Sequence, residues 1–144
     1  EMIQAARSGL GNAPNRSLLT AVTILTSMDA ASLSAIGFHQ EPAEMVMRLA
    51  QLAQKSGADG VVCSANEAKE LNARFGDDFI KVTPGIRPPG AASHDQKRVM
   101  TPSEAIKQGA DYLVIGRPIT QALDPVSVLT SVMQEIENSV NFDV

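Results

Sequence analysis

Gly116-Arg117-Pro118 has the residue types that bind a phosphate group. Glycine lets a ligand approach the backbone, arginine presents a fixed fork of donors, and proline favours the start of a helix. Amides at a helix N-terminus add partial positive charge. The segment predicts an anion site, although residue type alone leaves open the alternative that Arg117 forms a surface ion pair.

A second candidate segment is the long loop expected from Pro84 to about Met100, with the sequence PGIRPPG followed by AASHDQKR. Long loops in compact domains are usually binding loops or lids. Arg87 is placed to reach an anion from a second direction, and Gln96 offers an amide donor. The alternative is a flexible loop in which Lys97 and Arg98 are merely solvated.

Other polar residues carry weaker signals. The hydroxyls of Thr26 and Ser27 are suited to the edge of a heterocycle, but Ser and Thr at a strand end more often cap the following helix. Cys63 ends an apolar run without an evident base nearby, which favours packing over a nucleophilic role. Glu67 is expected to be a charge on a helix surface, and no paired catalytic carboxylates are evident.

Four short apolar runs are expected to be the strands that position these residues. Each is nearly continuous in apolar character, as in strands covered on both faces. The runs are Leu18–Leu25, Asp59–Cys63, Phe79–Thr83 and Asp111–Ile115. In such folds the functional residues gather in the loops after the strands, and the candidate segments above occupy those loops.

Helices are expected between the strands. Pro42–Lys55 has a 3.6-residue apolar period, with an inner face that includes Val46, Leu52 and Ala53. Glycines at positions 57, 76 and 109 are expected to end helices. The other predicted helices are Asn66–Phe75, one that begins with a capping box at Thr101–Glu104, and one from Asp124-Pro125 to about Ile136.

The alternation of strands and helices predicts an α/β fold in one domain over residues 1–144. The phrases KSGADGVVCS and KQGADYLVIG are near copies, so the helix–strand unit repeats. The pattern fits a doubly wound sheet or a (β/α)8 barrel, but a closed barrel needs about eight strands. Because the chain opens on Glu1 with the pattern of a helix end, we expect a half-barrel from a larger protein that has lost its beginning.

Composition excludes several function classes. The 144 residues carry a net charge of −4 without clustered Lys or Arg, which argues against a nucleic-acid surface. A membrane role is not expected, since no apolar run approaches the roughly 18–20 residues of a membrane span. The single cysteine excludes an internal disulfide and fits the cytoplasm. With only two histidines, a structural zinc site is not expected.

The strand-end segments together resemble a known family. VTPGIRPPG, HDQKRVMTPSEAIKQGADYLVIGRPIT, LLTAVTILTSM and GVVCSANEA closely resemble the C-terminal half of bacterial orotidine 5′-phosphate decarboxylase. The resemblance covers nearly the whole chain. It implies a (β/α)8 barrel, of which this chain carries about the last four βα units, and a homodimer that converts orotidine 5′-monophosphate to UMP and CO2 without metal or organic cofactor.

The resemblance also implies roles for individual residues. Thr26 would contact the pyrimidine, Arg87 and Gln96 would lie on the closing loop, and Gly116 with Arg117 would hold the phosphate. The family's proton-donating lysine belongs to a DxKxxD-type stretch in the other half, and this sequence has no such stretch. We therefore expect no catalytic residue in this segment and no decarboxylation by the segment alone.

Two other functions stay open at this point. A half-barrel of this kind could bind phosphorylated ligands, or associate with itself to bury its open edges, without catalysis. Another phosphate-binding barrel enzyme, such as a sugar-phosphate or indole-pathway relative, would share only the strand-end arginine. The TPGIRP and DQKR segments argue against this last option, because a generic phosphate site does not require so long a loop.

Overall fold

Four parallel strands form the centre of the molecule, in agreement with the predicted α/β alternation. The computed structural model describes residues 1–90 and 98–140. The strands are shorter than the apolar runs that predict them and pair in the order β1-β2-β3-β4. They are β1 Thr20–Val22, β2 Gly60–Val62, β3 Ile80–Thr83 and β4 Tyr112–Leu113.

Helices connect the parallel strands. Those described are α1 Met2–Leu10, α2 Ala30–Ala35, α3 Pro42–Lys55, α4 Ala68–Phe75, α5 Pro102–Lys107, α6 Arg117–Thr120 and α7 Pro125–Val140, with a 3₁₀ turn at Ala65–Glu67. In the part of the chain that the structure describes, no helix is both long and apolar enough to cross a membrane.

Local signals set most helix boundaries. The predicted capping box is present, since the Thr101 hydroxyl accepts from the Glu104 amide and the Glu104 carboxylate accepts from the Thr101 amide. Asp124 caps α7 by accepting from the Ser127 amide at 3.1 Å. The α2 helix is absent from the sequence prediction, and its cap is Asp29, which accepts from the Ser32 amide at 2.9 Å, rather than Thr26 or Ser27.

The main core lies between the sheet and helices α3 and α4. It contains Val46, Met47, Ala50, Ala53, Ala58, Val61, Cys63, Leu71 and Phe79. The predicted inner face of α3 is wrong at Leu52, which is 61% exposed. Val46 and Ala53 are buried as predicted, and the helix turns Met47 and Ala50 toward the sheet in place of Leu52. Small residues such as Ala50 and Ala53 allow a close approach between helix and strand.

Among the described residues, the opposite face of the sheet is exposed at its two outer strands and half-buried between them. The register aligns Val22, Val62, Val82 and Tyr112 in one row across all four strands. Val22 is 61% and Tyr112 53% exposed, at the two ends of the row. Parallel sheets normally have both faces covered. We call these four residues the inner row.

The repeated Gly-Ala-Asp phrase forms the same structure twice. Gly57 and Gly109 both adopt positive φ angles, of 89° and 92°, which end the preceding helices. The backbone N–H of Asp59 donates to Leu19 O, and the Leu19 N–H donates back to the Asp59 carboxylate at 2.7 Å. The internal repeat thus encodes a two-way clamp between neighbouring strands.

The second clamp repeats these bonds between Asp111 and Lys81. The Asp111 N–H donates to Lys81 O, and the Lys81 N–H donates to the Asp111 carboxylate at 2.7 Å. Each carboxylate also pairs with a cation: Asp59 with Arg16 at 2.7 Å, and Asp111 with the Lys81 ammonium at 2.9 Å. The Arg16 hydrogen bond in particular lowers the pKa of Asp59 to about 2.

We expect the two clamps to differ in their contribution to stability. Lys81 is 1% exposed, so Asp111→Ala leaves a buried ammonium without its carboxylate and should cost about 3 kcal/mol in the free energy of unfolding. Asp59→Ala should cost only about 1–2 kcal/mol, since Arg16 can turn to water. Urea unfolding followed by far-UV circular dichroism measures both.

The control is the double variant Lys81→Met/Asp111→Ala, which removes the stranded charge and should recover much of the loss. Equal losses for the two aspartate variants would contradict this account.

Candidate functional site

The four strand ends meet at one edge of the sheet, as parallel pairing requires. Thr26, Ser64, Pro84 and Gly116 follow β1, β2, β3 and β4 in turn. The clamps formed by Asp59 and Asp111 lie at the opposite, amino-terminal edge. The predicted site residues that the structure describes therefore share one edge, and the two clamps occupy the other, as is typical of α/β barrels.

Arg87 and Arg117 line the same small cavity. Its volume is about 150 Å³, and it is lined by Pro84, Gly85, Arg87, Val114, Gly116 and Arg117. Two arginine residues from different loops thus line one cavity. We call this space the arginine cavity.

Backbone contacts hold both sides of the arginine cavity. Arg87 is buried, its N–H donates to Met100 O at 2.9 Å, and its side chain donates to Ile86 O at 2.8 Å. Gly116 begins α6, and its carbonyl accepts from the amides of Ile119 and Thr120. A Cβ atom at Gly116 would meet nothing within 4 Å, so this side of the backbone is open to a ligand.

Thr26 lines a second cavity next to the first. This cavity has a volume of about 290 Å³ and is lined by Val22, Ile24, Leu25, Thr26, Ser27, Val62, Cys63 and Pro84. We call it the threonine cavity. Pro84 lines both cavities, so the two are neighbours. Gln96, the remaining predicted contact, lies outside the described residues.

The structure contains a buried ion pair that the sequence prediction missed. Glu67 is 4% exposed and pairs with the guanidinium of Arg98. The expectation of a surface carboxylate at Glu67 is therefore wrong, and so is the alternative of a solvated Arg98. Its position in the sequence could have indicated a buried role, because Glu67 follows a buried strand at the same edge as the site residues.

Burial and the ion pair act on Glu67 in opposite directions. Desolvation raises the pKa of this carboxyl, and the charge of Arg98 offsets part of the rise. A carboxylate in this setting depends on its cation, because an ionised group without a partner in the interior is strongly unfavourable. Glu67 therefore requires Arg98.

Cys63 behaves as a core residue, as predicted. Its side chain is 1% exposed and belongs to the main core. Burial raises the pKa of the thiol to about 12, so the thiolate needed for nucleophilic chemistry is scarce at neutral pH.

Comparisons with known proteins point to one family. Residues 1–132 match the profile of the "Orotidine 5'-phosphate decarboxylase / HUMPS family". Orotidine 5'-phosphate decarboxylases from Nitrosococcus oceani and Vibrio atlanticus are 53% identical over 137 residues and 59% identical over 118 residues. The crystal structure of orotidine 5'-phosphate decarboxylase from Lactobacillus acidophilus superposes with a TM-score of 0.74 at 41% identity.

The chain spans little more than half the length of these relatives. The match covers 95% of this chain but 59% of the Nitrosococcus oceani protein, and 82% of this chain but 51% of the Vibrio atlanticus protein. It covers 94% of this chain and 58% of the Lactobacillus acidophilus structure. The four-stranded parallel sheet thus corresponds to about half of a (β/α)8 barrel, which confirms the predicted fold class.

We expect Cys63 to be chemically inert in the folded protein. Because the thiol is buried and its pKa is raised, alkylation by iodoacetamide at pH 8 should be about 100-fold slower than for a free cysteine. Mass spectrometry measures the rate, and the same chain in urea should react fully. Fast modification of the folded chain would contradict the assignment of Cys63 to the core.

Proposed function

This chain belongs to the orotidine 5'-phosphate decarboxylase / HUMPS family, and from that membership we propose that it forms the C-terminal half of an orotidine 5′-phosphate decarboxylase. The reaction converts orotidine 5′-monophosphate to UMP and CO2. The observation that carries the proposal is the convergence of Arg87, Gly116 and Arg117 around one cavity beside a second cavity that contains Thr26.

The arginine cavity is proposed to bind the phosphate. Guanidinium groups form charge-assisted, bidentate hydrogen bonds with phosphate, and the two arginines supply positive charge from two loops. The open side of Gly116 lets phosphate oxygens approach the backbone. Gln96 is proposed to add an amide donor.

The threonine cavity is proposed to bind the pyrimidine. Thr26 lies at its wall with a hydroxyl suited to the edge of a heterocycle, and valine, leucine and isoleucine side chains supply apolar surface. A nucleotide spans the two cavities if its phosphate occupies one and its base the other. Phosphate binding then supplies energy at a distance from the reacting carbon, which can support the transition state rather than only the bound substrate.

The proton chemistry is proposed to come from residues outside this chain. Decarboxylation leaves a carbanion that an ammonium group must protonate, and the family's DxKxxD-type stretch is absent from the sequence. The exposure of Val22 and Tyr112 at the ends of the inner row supports this division, because a second half-barrel would cover them and pair with the edges at β1 and β4. The assembled enzyme is proposed to be a cytoplasmic homodimer that uses no metal or organic cofactor.

We expect the purified 144-residue chain to release no CO2 from orotidine 5′-monophosphate. Joined behind the unmatched N-terminal part of the Nitrosococcus oceani relative, the same chain should decarboxylate the substrate, because the missing ammonium and carboxylates are restored. Release of CO2 from labelled substrate measures both. Turnover by the chain alone at the rate of the joined protein would refute the proposed division, and a folded joined protein without turnover would refute the function.

Arg117→Ala in the joined protein should lower kcat/KM for orotidine 5′-monophosphate by about 100-fold or more, since a charge-assisted phosphate contact is lost. Steady-state kinetics with the nucleotide and with phosphate-free orotidine distinguishes a phosphate contact from a general loss of activity. The kcat/KM for phosphate-free orotidine should be unchanged. Arg48→Ala, at an exposed position on α3, is the matched control. Equal losses with both substrates would contradict a phosphate role for Arg117.

A further inference from the structure

Arg98 connects three strand-end segments at the carboxyl edge of the sheet. Arg98 lies in the segment between β3 and α5. Its guanidinium pairs with Glu67, which follows β2. The same guanidinium donates to Ile24 O at 3.1 Å and Leu25 O at 3.2 Å, in the segment that follows β1. One side chain thus bridges the ends of three neighbouring strands.

The backbone of Arg98 adds a further contact to the same segment. Its N–H donates to Thr26 O at 3.3 Å. Three consecutive carbonyls, those of residues 24–26, therefore accept hydrogen bonds from this one residue. These residues form part of the wall of the threonine cavity, so the hydrogen bonds from Arg98 hold part of that wall.

The guanidinium is divided between its partners. One terminal nitrogen pairs with Glu67, and the other serves the carbonyls of Ile24 and Leu25. Within the described residues, the second Glu67 oxygen and the Arg98 Nε are buried without a hydrogen-bond partner. The Arg98–Glu67 pair is therefore not bidentate, and the second terminal nitrogen of Arg98 bonds to a separate segment of the chain.

We propose that Arg98 is a positioning residue that holds the Ile24–Thr26 segment against the end of β2, so that Thr26 is placed to contact the pyrimidine. Glu67 fixes the orientation of the guanidinium, and the hydrogen bonds from the guanidinium to the carbonyls then fix the position of the cavity wall. This inference rests on the proposed function for its catalytic consequence, but the positioning itself is measurable without activity.

Lysine is not equivalent at this position. An ammonium group carries its three donors on one atom, whereas the planar guanidinium reaches Glu67 with one terminal nitrogen and the carbonyls with the other. Arg98→Lys keeps the charge opposite Glu67 but loses the bridge. It therefore separates the neutralisation of Glu67 from the placement of the Thr26 segment.

The test uses this chain joined behind the N-terminal part of the Nitrosococcus oceani relative, as wild type, Arg98→Lys and Arg98→Ala, with the exposed-site variant Arg74→Ala as control. We expect kcat/KM to fall about 10- to 100-fold in Arg98→Ala, and by an intermediate factor in Arg98→Lys. The fall should be equal for orotidine 5′-monophosphate and phosphate-free orotidine, because the pyrimidine end is common to both.

Amide hydrogen exchange on the same proteins reads the position of the segment directly. The Met28 N–H donates to Leu25 O at 2.9 Å, next to the Arg98 contacts, whereas the Ala110 N–H donates to Ala105 O far from them. In Arg98→Ala, exchange at Met28 should accelerate about ten-fold or more while Ala110 stays within about two-fold of wild type.

Unchanged exchange at Met28, or equal acceleration at Met28 and Ala110, would overturn the positioning role and leave Arg98 as a general stabiliser. A kinetic loss confined to the phosphorylated substrate would overturn it in favour of a phosphate contact. Absence of turnover in the folded wild-type protein would instead refute the proposed function, and the exchange at Met28 would still decide whether Arg98 holds the segment.

Discussion

Parallel pairing of four strands is the constraint on which the rest of this structure depends. Because β1 to β4 run in one direction, their carboxyl ends lie at one edge, and residues far apart in sequence meet there. Arg87 and Arg117 are thirty positions apart yet line one cavity. An antiparallel pairing of the same strands would send half of these loops to the other edge.

The two edges of the sheet use charge for different purposes. At the amino edge, the carboxylates of Asp59 and Asp111 accept hydrogen bonds from backbone amides of the neighbouring strands and pair with cations. These charges hold the strands together. At the carboxyl edge, Arg87 and Arg117 line a cavity, while Arg98 pairs with Glu67. The division follows the usual separation of stability from function in barrels, and the internal repeat of the sequence encodes the first of these tasks twice.

Local signals made much of the fold predictable. The α3 helix begins at Pro42 and ends at Lys55, as its proline and the following glycine indicate, and the Thr101 capping box forms as its spacing predicts. These boundaries depend on residues three or four positions apart. The inner face of α3 was predicted less well, because a choice between Leu52 and Ala50 is settled by how closely the sheet packs, which the helix period does not contain.

The candidate site divides in the same way. The meeting of Arg87 with Gly116 and Arg117 follows from strand direction, which the sequence pattern contains. The Glu67–Arg98 pair joins residues 31 positions apart. It depends on the tertiary fold that brings the segment after β3 next to the end of β2, so the sequence spacing does not predict it. Substrate contacts at Thr26, Arg87, Gln96, Gly116 and Arg117 stay predictions.

The inner row has a consequence for the fate of the polypeptide. Its end members, Val22 and Tyr112, are exposed on outer strands that have unpaired edges among the described residues, and such edges attract other strands. An apolar surface of this kind makes a polypeptide a substrate for chaperones and proteases. Covering the inner row would therefore be expected to lengthen the lifetime of the chain in a cell.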